Sequence, residues 1–237
     1  IIQLNHPYSQ EQGYLAYVGF TPMKSVEDLD PEIFSLDFDS MEIMNSKDAD
    51  QLGMTLPAWY SLLNQGIAKT AVGSSDSHHP GQEPGYPRNY FLSGASTPEG
   101  ITDEEVVSAV KSHNLLMCGG PFITFTINGS SMGSLVRPGS MPLKLKIKVQ
   151  APLWMNVSSV EVIVNGETLK TIPVTNTDVV RYDGEVADSP SSDTWYAVIA
   201  RGTKDLGPMY QGAVAFSLTN PIWVDVNENG RFDPPGI

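Results

Sequence analysis

Two short stretches carry the residue types that chemistry asks for. In "GSSDSHH" (73–79) Asp76 stands two residues before His78, with His79 alongside, directly after the apolar run "IAKTAV". In "IIQLNHP" (1–7) His6 follows a second short apolar run. The chain has only four histidines, and three of them fall in these two stretches. A spacing of two places Asp76 and His78 on one face of an extended segment. Carboxylate oxygen with imidazole nitrogen suits zinc, manganese or iron, whereas calcium prefers oxygen alone. Taken singly each feature is common, because Asp-x-His occurs in many loops and a histidine before proline can simply end a strand.

The elements around these residues decide whether they can meet. "IIQL" (1–4), "FSLDFDSMEIMN" (34–45) and "IAKTAVG" (67–73) read as strands, and "NYFLSGA" (89–95) as a further one. "LPAWYSLLNQG" (56–66) reads as a helix, with Pro57 in its first turn and Gly66 as its stop. "TDEEVVSAVKSHN" (102–114) is a second helix, opened by a capping box of Thr102 and Glu105. His113 falls on its last turn, where a cation complements the helix dipole. Strands alternating with helices argue an α/β layer or barrel with parallel strands. In such folds ligands gather at the carboxyl edge of the sheet. His6 stands just past one strand, and Asp76 and His78 just past another, so all three are expected on the same edge.

Past about residue 120 the grammar changes. "PFITFTING", "LKLKIKVQA", "VSSVEVIVNGETLKTIPV", "VVRYDGEV", "DTWYAVIARG" and "GAVAFSLTNPIWVDV" are strand-like runs divided by Gly, Pro, Asn and Asp. "LKLKIKV" alternates lysines with aliphatic residues, which asks for one wet and one buried face. The Asn-Gly pair in "VNGE" (164–167) signals a hairpin. The pattern predicts an immunoglobulin-like β-sandwich over 121–237, after an α/β part over 1–120, with the boundary near "CGGPF" (118–122).

Composition narrows the partners. The chain has 237 residues and a net charge of −13, which argues against binding nucleic acid. Its apolar fraction of 41% is enough for a core. Cys118 is the single cysteine, so no internal disulfide forms, and it reads as a small buried hydrophobe. No apolar run is long enough to span a membrane, and no signal peptide is seen. The chain opens on Ile1 rather than Met, as a processed or partial product would. The sequence does not fix its location; an extracytoplasmic setting, periplasmic or secreted, is preferred.

"LNHP", then "GSSDSHH", then "GYPRNYF" resembles the later motifs of PHP-domain (polymerase and histidinol phosphatase) metallohydrolases, most closely the branch typified by carbaryl hydrolase. "MEIMN" is similar to that branch's E-x-x-N, "GGPF" to its step into a β-sandwich, and "LTNPIWVD" to its closing strand. The resemblance implies the C-terminal portion of a distorted (β/α)7 barrel with a two- or three-metal site, followed by an immunoglobulin-like β-sandwich. Carried over residue by residue, His6, Asp76 and His78 are metal ligands, with Asp76 and His78 catalytic as well. Glu42 and Asn45 match the E-x-x-N positions, which makes Glu42 a further candidate ligand. His79 matches no ligand position. The family's opening H-x-H, its D-H and its middle histidine have no counterpart in this chain, so the missing N-terminal part of the same protein is an expected partner. The implied chemistry is hydrolysis of a small-molecule ester, carbamate or phosphoester by a metal-activated water. Arg88 in "YPRNYF" would clamp an anionic substrate or transition state, or else form a surface ion pair.

The tail "DVNENGRFD" poses a second metal question. Asp225, Asn227, Asn229 and Asp233 take positions 1, 3, 5 and 9 of a calcium loop, with Gly230 at the turn, but Gly236 stands where the bidentate glutamate belongs. An ordinary Asn-Gly turn is the alternative. A rival reading of the whole chain is a non-catalytic module whose sandwich binds a surface or polysaccharide, with Trp154, Trp195, Tyr196 and Trp223 either stacking on sugars or filling the core.

Overall fold

The parallel part is built from three short strands, each followed by a return of chain. In the computed structural model, which describes residues 1–9, 13–80, 82 and 84–237, β1 (Gln3–Leu4) leads through a short helix α1 (Tyr14–Tyr17) to β2 (Ser40–Asn45). Helix α2 (Ala49–Asn64) then leads to β3 (Thr70–Ser74). The strands pair in parallel in the order β1-β2-β3. All six residues of β2 are buried, as a central parallel strand covered on both faces requires. Among the described residues this layer has three strands and is open, not closed into a barrel.

Helix α2 begins well before the stretch the apolar pattern marked out. Asp48 caps it, its carboxylate accepting the Gln51 amide at 2.8 Å. Pro57 therefore lies inside the helix rather than in its first turn. The residue four back, whose carbonyl the proline ring approaches, is Gly53. Gly66 does end the helix, at a φ of +78°. The helix is pinned on both sides. Thr55 Oγ1 donates to the Ile43 carbonyl at 2.5 Å and Trp59 Nε1 to the Lys69 carbonyl at 2.7 Å. Across from these, Trp59 and Tyr60 pack on the Trp195 ring at 6.1 and 5.3 Å.

Next come β4 (Arg88–Tyr90), helix α3 (Asp103–Lys111) and β5 (Leu116–Gly119). The capping box of Thr102 and Glu105 is present. His113 lies beyond the helix end, and its ring is mostly buried, edge-on to Trp223 at 5.2 Å. Burial pushes its pKa down to about 4, with Lys69 adding to the effect, so at neutral pH it is uncharged. The expected cation at the helix end is thus a neutral imidazole beside Thr70 Oγ1, 2.7 Å away.

The remainder is all β: β6 (Phe122–Ile127), β7 (Ser130–Ser131), β8 (Leu135–Val136), β9 (Leu143–Gln150), β10 (Ser159–Val164), β11 (Glu167–Pro173), β12 (Val180–Asp188), β13 (Thr194–Leu206), β14 (Tyr210–Thr219) and β15 (Ile222–Val224). One sheet runs β12-β9-β6-β7. The other runs β11-β10-β13-β14-β5-β4, with β15 on β13 and β8 on β15. β9 alternates as its sequence asks, with Leu143, Leu145, Ile147 and Val149 fully buried. The Asn165-Gly166 pair turns between β10 and β11, both residues at positive φ.

Secondary-structure type changes near residue 120, but pairing does not stop there. β5 pairs with β14 from Phe216↔Gly119 to Thr219↔Leu116, and β4 extends the same sheet. One hydrophobic core holds Leu15, Trp59 and Met117 together with Trp195 and Val224.

Two asparagine side chains join the parallel layer to this sheet. Asn220 Oδ1 accepts the Ala71 amide at 2.8 Å, while its Nδ2 donates to the Ala71 and Leu115 carbonyls at 3.0 and 2.9 Å. Asn89 does the same for Gly73, at 2.9 Å in both directions. Each primary amide presents a donor and an acceptor side by side, as a peptide group would. The edge of β3 is thereby satisfied without another strand.

Candidate metal centre

The carboxyl edge of the parallel layer gathers three of the non-glycine residues with positive φ. Past the end of each strand a non-glycine residue takes a left-handed conformation: His6 (φ 33°) after β1, Ser46 (φ 47°) after β2 and Asp76 (φ 49°) after β3. Such conformations cost about 1–3 kcal/mol each and gather at functional sites. His6, Glu42, Asp76 and His78 all belong to this edge.

Glu42 is the hub. It is 1% exposed. Its Oε2 accepts the His6 backbone amide at 2.5 Å and the Asn45 side-chain amide at 3.2 Å, and its Oε1 accepts the Ser74 hydroxyl. Residues three apart on a strand normally face opposite ways. The irregularity in the β2–β3 register between Glu42 and Met44 brings Glu42 and Asn45 onto one side. Among the described residues no cation pairs with this carboxylate. Three donors soften the cost of burying it, yet a buried carboxylate without a counter-charge remains expensive. Nearby, His6 Nδ1 is buried with no hydrogen-bond partner.

Asp76 and His78 do form a pair, with His78 Nε2 and Asp76 Oδ1 2.8 Å apart. Their side chains are 41% and 69% exposed. The loop is tied by Gln82, whose Oε1 accepts the His78 and His79 amides at 2.5 and 3.2 Å. The expected convergence of His6, Asp76 and His78 on one point is not seen. Among the described residues no group of three or more His, Cys, Asp or Glu side chains stands close enough to hold a metal ion. What the structure brings together is Glu42 with His6, Asn45 and Ser74, and Asp76 with His78. Ser74 was not legible as a site residue, because a serine ending a strand carries no signal of its own.

Arg88 lies on β4. Its Nε donates to the Gly85 carbonyl at 2.5 Å and its Nη2 to the Tyr210 hydroxyl at 3.2 Å. It forms no ion pair among the described residues.

In the tail loop Asp225 is fully buried, its two oxygens accepting the Asn229 and Gly230 amides at 3.0 and 2.7 Å. Asn227 and Asn229 both donate through Nδ2 to Asp233 Oδ2, at 3.2 and 2.7 Å. These two bonds, with help from Arg231, hold the Asp233 carboxyl below its usual pKa. Asp193, which the sequence pattern did not single out, accepts the Val226 and Asp233 amides and ties the loop to β13. The oxygens expected of a calcium loop are therefore grouped, in a geometry that stacked Asx turns also produce.

Of the aromatic residues considered for sugar stacking, Trp195, Tyr196 and Trp223 are core, at 0%, 0% and 8% exposure. Trp154 alone stands at the surface. No helix among the described residues is long and apolar enough to cross a membrane.

No protein-family model matches the chain, and no curated protein matches it. A crystal structure of an engineered protein is similar at 16% identity with a TM-score of 0.27. The likeness covers 80% of this chain, which spans about half of that protein (49%). At that TM-score it carries no argument about fold or function.

Proposed function

We propose that the chain is part of a metal-dependent hydrolase of ester, carbamate or phosphoester bonds, with its metal site at the carboxyl edge of β1–β3. The observation that carries this reading is Glu42, a buried carboxylate with no counter-cation among the described residues, next to a histidine whose Nδ1 has no partner among them. Glu42 and His6 are the donors best placed to hold a divalent zinc, manganese or iron ion, with Asp76 and His78 contributing from β3. A bound metal would lower the pKa of its water from about 15.7 toward 7 and polarise the oxygen under attack. Asn45 and Ser74 orient Glu42 by their hydrogen bonds, and outer partners of this kind set ligand geometry. Asp76 orients the His78 ring through their 2.8 Å contact. Arg88, which has no carboxylate partner among the described residues, is the cation proposed to meet an anionic group of the substrate. These donors are fewer than a two- or three-metal site requires. Further ligands are proposed to come from a segment upstream in the same protein, pairing with the free edge of β1.

The test is hydrolysis of p-nitrophenyl acetate and bis-p-nitrophenyl phosphate by the longest natural form of the protein, with added zinc or manganese. Metal-dependent turnover is expected, and His78→Ala should lower it at least about 100-fold while leaving the melting temperature unchanged. Wild-type turnover in that variant, or turnover indifferent to chelator, overturns the reading.

A further inference from the structure

One arginine of the β-sandwich carries a buried charge with no counter-ion. Strand β12 meets β9 with an irregularity: Val180 pairs with Gln150 and Tyr182 with Val149, leaving Arg181 as the extra residue. A bulge of this kind re-aims the side chain it frees. Here Arg181 ends up 4% exposed. Its Nη1 donates to the Asp178 carbonyl at 2.5 Å, and its Nη2 to the Pro152 and Met155 carbonyls at 2.6 and 2.9 Å. Its Nε is buried with no acceptor. No carboxylate pairs with it among the described residues. Neutral carbonyls alone compensate a buried guanidinium poorly.

The same arginine lines a hollow of about 180 Å³, together with Trp154, Asn156, Thr175, Asn176 and Lys204. No aspartate or glutamate among the described residues lines it. Among the described residues the hollow thus has two cations and no acid, in a chain of net charge −13. Lys204 is exposed and forms no ion pair among the described residues. At the rim, Leu153 and Trp154 are 70% and 55% exposed, offering a flat apolar surface to solvent. The volume holds about six waters, which is the room of a single sugar-sized ring and not of a folded partner.

We propose that this hollow binds an anionic saccharide. The carboxylate or sulfate ester of the sugar approaches Arg181 and Lys204, its ring face lies on Trp154, and its hydroxyls exchange hydrogen bonds with Asn156, Asn176 and Thr175. The positive pair selects the charge. The exposed indole selects a ring over a free ion. This inference uses none of the residues at the parallel edge and stands apart from the hydrolase reading.

The experiment follows tryptophan emission while the chain is titrated with trigalacturonate, a sulfated disaccharide, maltotriose and inorganic sulfate. Trp59, Trp195 and Trp223 are buried, so a ligand-induced change reports Trp154. A saturable change with one or both acidic saccharides, and none with maltotriose, is expected; which acid binds identifies carboxylate or sulfate ester as the anion. Lys204→Ala should weaken binding about tenfold, the cost of one charged contact, and added salt should weaken it further. Trp154→Ala should lose binding by calorimetry. Arg181→Met removes the loop's carbonyl clamp and can destabilise the fold, so the surface variants carry the test. Equal binding of maltotriose, binding of inorganic sulfate alone, no binding at all, or unchanged affinity in Lys204→Ala overturns the proposal.

Discussion

Asn220→Ala tests how the two sheets are held together. In the native chain this one side chain satisfies both the N–H and the C=O of Ala71 and also donates to the Leu115 carbonyl, at a residue with 0% exposure. Truncation leaves both Ala71 groups buried and unpaired. Leu115 is less affected, since its carbonyl still accepts the Asn220 backbone amide at 3.3 Å. Each buried orphan costs about 1–3 kcal/mol, so the pair costs about 2–6 kcal/mol before the small void is counted. Against a total stability of about 5–15 kcal/mol that is a large loss. Asn89→Ala removes the matching bridge at Gly73, but Asn89 is exposed and water can replace it, so about 1 kcal/mol is expected. Asn220→Asp adds a pH signature. An ionised carboxylate would face the Ala71 and Leu115 carbonyls with no hydrogen to offer, which raises its folded pKa above the unfolded value of about 3.9. Relative to wild type, that variant should be at its most stable below this value and lose stability as the pH rises through the folded pKa. Urea unfolding at pH 4 and pH 7 measures all three. An Asn220→Ala loss under about 1 kcal/mol, or no larger than that of Asn89→Ala, would refute the bridging argument.

Two further outcomes are expected. The pKa of His113 is about 4 in the folded chain against an unfolded value near 6.5, so the unfolded state binds the extra proton and stability falls as pH drops through that window. The fall should reach up to about 3 kcal/mol, and a His113→Gln variant should show a flatter pH profile than wild type between pH 6.5 and 4; parallel pH profiles would contradict it. Millimolar calcium should raise the melting temperature through the Asp225–Asp233 loop, by a stabilisation of about 1–3 kcal/mol, and Asp225→Ala should abolish the rise. No shift in the wild-type chain would return the loop to stacked Asx turns.

Local patterns in the sequence translated well into local structure. The period-2 run of β9, the Asn165-Gly166 turn and the Thr102–Glu105 capping box are each set by neighbours within a few residues. The start of α2 was missed because "NSKDAD" reads as a polar loop, when Asp48 is a cap and the first helical residues, Ala49 and Asp50, face solvent. The pairing of β5 with β14 joins segments far apart in the chain, and nothing in either strand announces its partner. Asn89 and Asn220 were invisible for the same reason, since an amide earns its role only from the backbone it meets. At the site, His6 and Asp76 were placed on the expected edge by strand ends alone. That Glu42 and Asn45 share a side depends on a bulge, which no spacing rule for a regular strand would supply. Arg181 escaped notice because a second bulge turns an arginine, by type a surface residue, into the interior.

The proposed divalent metal at the carboxyl edge of β1–β3 would be held through Glu42 and its neighbours. Titrating the purified chain with manganese while following its free-ion electron paramagnetic resonance signal tests this directly. Saturable binding is expected, weakened at least about tenfold in Glu42→Gln and His6→Ala, with the Asp225→Ala variant unchanged. Binding that is absent in the wild-type chain, or that survives both edge substitutions, would contradict it.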